Sequence, residues 1–345
     1  MCIPHQWSTR RLYTDGNGVC ANGVAKRLAG IYFQSLDSTM ATYVIIYCSS
    51  AFLAVLITPI VIRLAHCVRA IDLPGARSVH QRPVPRIGGV AIFLSAMCPL
   101  IAVVLLSSTV DHAFEEMRRE ITILLCAATF IFLIGLVDDL KNLPARFKFL
   151  AELLAGAALC LAGVRISNIA LTDHWILSLG TWGCVLTMLW VVGITNAVNL
   201  SDGLDGLAAG ISAVACGTIA VFAIHSGDVA MGVFMLALVG SLSGFLVFNF
   251  NPAKVFMGDC GSLFLGFTIA SASVLCVAKS AALMGLALPA LALGIPIFDT
   301  LFSMLRRFLE RRSLFAPDRR HIHHRLLDLG LHQRQAVMAI HLATL

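Results

Sequence analysis

Five short segments of the 345-residue chain hold most of its potentially reactive side chains. The first is Asp72-Leu-Pro-Gly75-Ala-Arg77-Ser-Val-His80, continuing through Arg82-Pro-Val-Pro85-Arg86 to Gly88-Gly89. The second is Asp138-Asp139-Leu-Lys141-Asn142, running on to Lys148. The third is Asn196-Ala-Val-Asn199-Leu-Ser-Asp202-Gly-Leu-Asp205-Gly206, and the fourth runs from Asn249 through Lys254 and Phe256 to Gly258-Asp259-Cys-Gly261-Ser262. The fifth is Pro317-Asp318-Arg319-Arg320-His321-Ile-His323-His324-Arg325. Carboxylate and amide oxygens suit a hard cation, and Mg²⁺ usually keeps only one or two protein carboxylates besides water and phosphate oxygens. Arg, Lys and His suit phosphates. Together they are the parts of a phosphoryl-transfer site, where catalysis is mostly positioning and charge neutralisation.

Each segment also has a plainer reading. Asp138-Asp139 could be a solvated helix end, and the Asn, Asp and Gly of 196–206 could be turn residues only. Gly258 and Gly261 around Asp259 suit close backbone approach to a ligand or merely a tight loop. The Arg pairs 306–307 and 311–312 suit membrane anchoring. Against this, Asp138 and Asp139 follow an apolar run, Ile121–Val137, and two adjacent carboxylates there are expensive without a cation. Asn196 and Asn199 are three apart, as are Asp202 and Asp205, so each pair can share a helix face. Zinc on His321, His323 and His324 is disfavoured, because no cysteine or further histidine lies near them. No Ser-His-Asp pattern and no Walker loop occurs.

The elements that must position these segments are membrane helices. Hydrophobic residues make up 58% and charged residues 13% of the chain, against roughly 25% charged in soluble domains. That excludes a soluble enzyme, a disordered chain and a coiled coil. At ~20 residues per span, nine apolar runs qualify: 41–66, 87–109, 121–137, 149–164, 182–198, 207–224, 229–248, 261–278 and 281–305. The fourth is short, and a tenth, Ala336–Leu345, is too short to span. Sixteen of the 25 Lys and Arg follow spans 1, 3, 5, 7 and 9, whereas four follow spans 2, 4, 6 and 8. By the positive-inside rule the odd connections, and with them all five reactive segments, face the cytoplasm. Residues 1–39 read as a poorly ordered extension with Met40 as an alternative start. The connection 165–181 alternates weakly, as a short hairpin would. The eleven cysteines read as small buried hydrophobes.

These motifs resemble the polyprenyl-phosphate N-acetylhexosamine-1-phosphate transferases, the superfamily of MraY, WecA and TagO. The match runs from about Met40 to His332, with NAVNLSDGLDGLAAG and FMGDCGSLFLG the most specific stretches. His321-Ile-His323-His324 after Pro317-Asp318 looks like the WecA branch. The resemblance implies an all-α polytopic bundle of ten or eleven transmembrane helices in a bacterial cytoplasmic (inner) membrane. Its cytoplasmic cleft would lie among spans 3 to 5, 8 and 9, the last broken near Pro296. The implied reaction is attack of undecaprenyl phosphate on the β-phosphate of a UDP-N-acetylhexosamine, with release of UMP. Implied metal ligands are Asp259 and Asn199, holding Mg²⁺ or alternatively Mn²⁺. Asp138 and Asp139 match the acidic pair acting on the lipid phosphate, and Lys148 matches a phosphate-contacting lysine. Asp202 and Asp205 match nucleotide-side residues, Phe256 a uracil-stacking ring and Asn249 a ribose-side amide. His321, His323 and His324, with Arg319 and Arg320, match the loop over the pyrophosphate and sugar. Arg82 or Arg86 takes the place of a uracil-contacting lysine. Related enzymes often form homodimers, and no nucleic-acid partner is implied.

Two departures accompany the match: Glu152 stands where relatives often carry Gln, and the chain stops within what should be a final span. A transporter would carry charges within its spans and repeat symmetry between halves. Apart from Arg63 and Asp299 the spans are nearly charge-free, and no repeat is visible. An inactive scaffold is disfavoured by the intact carboxylates.

Overall fold

In the computed structural model, residues 18–74, 82–172, 175–280, 284–311 and 322–344 are described. The chain divides into two compact units, 1–41 and 42–345. Residues 18–41 of the first are helical.

Apolar residues surround the long helices on every side instead of forming one stripe, as expected of segments that face either lipid or other helices. The order is α1 (Gly18–Cys67), β1 (Ile71–Asp72), β2 (Val84–Pro85), α2 (Gly89–Leu106), α3 (Ser108–Glu116) and α4 (Arg118–Lys141). Then come α5 (Ala145–Leu161), β3 (Asn168–Thr172), β4 (Trp175–Ser178), α6 (Trp182–Ser201), α7 (Leu207–His225) and α8 (Val229–Asn249). The chain continues with α9 (Gly258–Ser280), α10 (Met284–Ala292), α11 (Gly294–Leu309), α12 (Ile322–Asp328) and α13 (Gln333–Thr344). Seven segments among the described residues are long and apolar enough to cross a membrane: Thr39–Cys67 of α1, α2, α4, α6, α7, α8 and Gly258–Ala278 of α9. The chain is an all-α, multi-pass membrane protein.

The remaining two apolar runs take other forms. α5 has 17 residues, short for a span, and it begins at Ala145, so Arg146 and Lys148 are helical. The ninth run is broken into α10 and α11 at Leu293. Pro296 falls in the first turn of α11, where its missing N–H leaves no helical bond unmade. The expected hairpin is present as β3 paired antiparallel with β4, Ile169 opposite Leu177. The short helix α3 was not anticipated. Described cysteines are all free, and Cys48, Cys67, Cys98 and Cys126 are exposed. The reading of cysteines as buried is corrected for these four: where helix surfaces meet lipid, a small apolar thiol can face outward as easily as inward.

α9 is the central helix. The whole of its apolar window is buried, against 28% for α1. Thr268 Oγ1 donates to Phe264 O at 2.7 Å and Ser273 Oγ to Ala270 O at 2.7 Å, so these two hydroxyls are satisfied within the helix. Phe264 meets Phe93 of α2 and Phe132 of α4 edge-on, at ring separations of 5.3 and 6.3 Å. Phe93 and Phe132 stack at 4.2 Å. Closer to the α9 N-terminus the backbones themselves touch. A Cβ on Gly135 of α4 would lie 2.5 Å from Asp259 O, and one on Gly89 of α2 would lie 2.2 Å from Gly261 N. Small residues of this kind let membrane helices approach closely. The end of α4 and the start of α9 are thereby fixed against each other.

Candidate active site

The site is built where α4 stops. Asn142 adopts the left-handed conformation (φ 53°, ψ 77°), tolerated by Asn, and its N–H reaches Asp138 O at 2.7 Å. Leu143 N–H then donates to Asp138 Oδ1. Pro144 follows, and α5 turns back so that Lys148 lies over the end of α4. Lys148 Nζ donates to Asp138 Oδ2 at 2.8 Å and to Asp259 Oδ2 at 2.5 Å. One ammonium thus joins α4, α5 and α9.

Asp139 does something different from its neighbour. Its Oδ1 accepts from Asp259 N–H and its Oδ2 from Cys260 N–H, both at 2.9 Å. The first amides of a helix have no partner within the helix and carry partial positive charge. Asp139, 5% exposed, caps α9 from another helix 120 residues away. The carboxyl of Asp202, at the end of α6, lies near the Gly258 backbone and the carboxyls of Asp259 and Asp139. Burial first, then the charges of Asp259 and Asp139, push Asp202 up to about 8. At neutral pH that carboxyl is therefore largely protonated until a cation joins the cluster. The carboxyls of Asp138 and Asp259 also approach within hydrogen-bonding distance of each other. Asp138 and Asp259 share the ammonium of Lys148, and Asp139 and Asp202 stand beside them.

Other segments are laid against this centre by backbone bonds. Phe256 N–H donates to Pro85 O at 2.8 Å, Gly88 N–H to Phe256 O at 2.9 Å and Gly89 N–H to Met257 O at 2.7 Å. The first polar connection therefore runs beside the turn that starts α9. Arg86 Nη2 donates to Asn142 Oδ1 at 3.0 Å, while its Nε has no hydrogen-bond partner among the described residues.

The sequence model described as "Glycosyl transferase family 4" matches residues 121–277, α4 through most of α9. A "Probable undecaprenyl-phosphate N-acetylglucosaminyl 1-phosphate transferase" of Bacillus subtilis (strain 168) is 41% identical over 310 residues, 89% of this chain and 83% of its own length. The chain belongs to the polyprenyl-phosphate N-acetylhexosamine-1-phosphate transferase family. A "Decaprenyl-phosphate N-acetylglucosaminephosphotransferase" of Mycobacterium leprae (strain TN) is 32% identical, covering 92% of this chain and 85% of its own length. A "Phospho-N-acetylmuramoyl-pentapeptide-transferase" of Geobacillus kaustophilus (strain HTA426) is 38% identical over 57% of this chain and 63% of its own length.

Within this transferase, Asp138, Asp139, Lys148, Asp202 and Asp259 form one cluster. Asn199, in the last turn of α6, is half-buried, and no hydrogen bond joins its amide to the cluster among the described residues. Asp205 lies further out: its Oδ2 accepts from Asn251 Nδ2 at 2.9 Å and Ala253 N–H at 3.0 Å. Asn251 Nδ2 also donates to Gln333 Oε1 of α13 at 2.8 Å. Asn249 is buried, 2% exposed, with its Nδ2 on Val255 O at 2.9 Å. In this geometry Asp205 and Asn249 shape the turn that delivers Phe256 and Asp259. Phe256 is half-buried and Arg82 exposed. Arg319, Arg320 and His321 lie outside the described residues, as do the side chains of His323 and His324.

Glu152 is the site residue that motif reading left without a role. One turn beyond Lys148 on α5 and 1% exposed, it accepts from Asn196 Nδ2 of α6. The signal available in the sequence was the four-residue spacing from Lys148, which puts both on one helix face.

Gly258 is a position where the backbone itself decides. Its φ is +73°, and a Cβ there would lie 1.9 Å from Arg86 O and 2.7 Å from Asp139 Oδ2. Gly258→Ala is expected to destabilise the purified protein by about 2 kcal/mol or more, read as a lowered unfolding midpoint in detergent. An unchanged midpoint would show that the α9 N-terminus is not held as described.

Proposed function

We propose that the chain transfers N-acetylglucosamine 1-phosphate from UDP-N-acetylglucosamine to undecaprenyl phosphate, releasing UMP, at the cytoplasmic face of a bacterial inner membrane. The observation that carries this reading is Lys148 held between Asp138 and Asp259 at the N-terminus of the central helix. Family membership, the relatives' names and the concentration of Lys and Arg in one set of connections support it.

An oxygen of the lipid phosphate attacks the β-phosphorus of the donor. A new P–O bond forms, the bond between the β-phosphorus and the bridging oxygen breaks, and UMP leaves with that oxygen. A phosphate monoester has its second pKa near ~6 and is largely ionised at neutral pH, so no strong base is required. Lys148 supplies a fixed positive charge for the incoming phosphate, oriented by the two aspartates. Asp139 holds the first turn of α9, and with it Asp259, against the end of α4. Preorganised charges of this kind need no rearrangement as the transition state forms.

The clustered carboxyls of Asp138, Asp139, Asp202 and Asp259 offer oxygen donors only, which fits Mg²⁺, or alternatively Mn²⁺. Asp259, with Asp138 beside it and Asn199 on the neighbouring helix, would hold the ion. When bound, it neutralises the donor pyrophosphate and the departing UMP. Chelation by EDTA is expected to abolish UMP release in proteoliposomes, and Mg²⁺ or Mn²⁺ to restore it. Full turnover in EDTA would remove the ion from the scheme. The homodimer that the resemblance implies is extended to this chain as part of the same proposal.

A further inference from the structure

α10 and α11 together contain one acidic residue, Asp299. A carboxylate in an otherwise apolar membrane helix is expensive and needs a partner. Asp299 Oδ1 accepts the backbone N–H of Ile322 at 2.9 Å. Ile322 opens α12, whose first turn carries His323 and His324. Asp299 and Ile322 both line a cavity of about 340 Å³ with Phe302, Ser303, Arg306 and Arg325. They also line a smaller one with Ser201 and Leu207. Ser201 is the last residue of α6, next to Asp202 of the acidic cluster. The bond between Asp299 and Ile322 therefore sets the start of α12 against the end of α6.

We infer that Asp299 is a positioning residue: it fixes the N-terminus of α12, and with it the backbone of His323 and His324, against the end of α6. A carboxylate capping a helix N-terminus is a favourable pairing of charge with orphan amides. Here cap and helix lie on separate segments, so the bond sets the placement of α12 as well as its stability. That the histidines act on the sugar-nucleotide rests on the function proposed above.

Two variants, Asp299→Ala and Asp299→Asn, separate this role from general destabilisation. Asn keeps an acceptor oxygen, whereas Ala does not. Hydrogen–deuterium exchange of the peptide covering 322–328, in the full-length protein in nanodiscs, reads the anchor without reference to activity. Exchange is expected to be about five- to tenfold faster in Asp299→Ala and close to wild type in Asp299→Asn. With UDP-N-acetylglucosamine as donor, KM for the donor is expected to rise about tenfold in Asp299→Ala, with KM for undecaprenyl phosphate unchanged and recovery in Asp299→Asn. Unaltered exchange in the alanine variant, equal loss in both variants, or equal shifts in both KM values would each overturn the assignment. If exchange responds as expected while wild type releases no UMP, the anchor stands and the proposed reaction falls.

Discussion

Lys148→Met is expected to lower UMP release by about a hundred- to a thousandfold, the scale seen when one preorganised charge is removed from a transfer site. The reason is geometric. Lys148 Nζ is the shared partner of Asp138 and Asp259, whose carboxyls face each other closely. With the ammonium gone, the lipid phosphate loses its fixed counter-charge and two carboxylates are left to repel one another. Leaving part of a partly buried ionic cluster unpaired is destabilising by about 3–5 kcal/mol in favourable cases. These side chains keep 11–27% of their surface exposed, so the structural loss should fall below that range. Lys148→Arg should not rescue, because a planar guanidinium cannot place a point charge between the two oxygens. The check is kcat at saturating substrates in variants shown to insert normally. Activity within tenfold of wild type would mean that the lysine is a structural link only.

Asp139→Asn is expected to lower kcat by about ten- to a hundredfold with little change in either KM, through displacement of Asp259. The carboxylate gives one oxygen to Asp259 N–H and the other to Cys260 N–H. An amide can accept only one of these, and its NH₂ would confront the second donor. A buried N–H left without its acceptor costs about 1–3 kcal/mol. The pH profile distinguishes this from proton abstraction. A positioning carboxylate leaves the shape of the kcat–pH curve intact and lowers only its height. A general base gives a variant whose curve loses its acidic limb, and that outcome would contradict the geometry described.

Much of the fold was legible because apolar length is read directly from sequence. The long spans and the hairpin at 168–178 follow from hydrophobic pattern and turn residues, whereas the break in the ninth run was implied only by the family resemblance. α3, nine residues of mixed polarity, gives no such signal. α5 starts four residues earlier than its apolar run, since Arg146 and Lys148 interrupt the pattern without interrupting the helix. In the site, residue types announced the chemistry but not the pairings. Asp138 and Lys148 are ten residues apart, and a helix end followed by a turn brings them together. Asp139 and Asp259 are 120 apart, and only packing of Gly135 against Asp259 O places one beneath the other. The same limit explains Asp205 and Asn249. The turn before α9 has donors and carbonyls of its own, and these two residues bond to them, pairings that residue type alone does not announce.

The most direct test of the central claim is Mg²⁺-dependent UMP release by the full-length protein in bilayers containing undecaprenyl phosphate, compared between wild type and Asp259→Ala. With UDP-N-acetylglucosamine as donor, wild type should release UMP in equal amount to the N-acetylglucosaminyl pyrophosphoryl lipid formed. The variant should insert normally and release none above background. Retained turnover in Asp259→Ala, or UMP without the sugar lipid, would contradict the assignment of this centre to sugar-phosphate transfer.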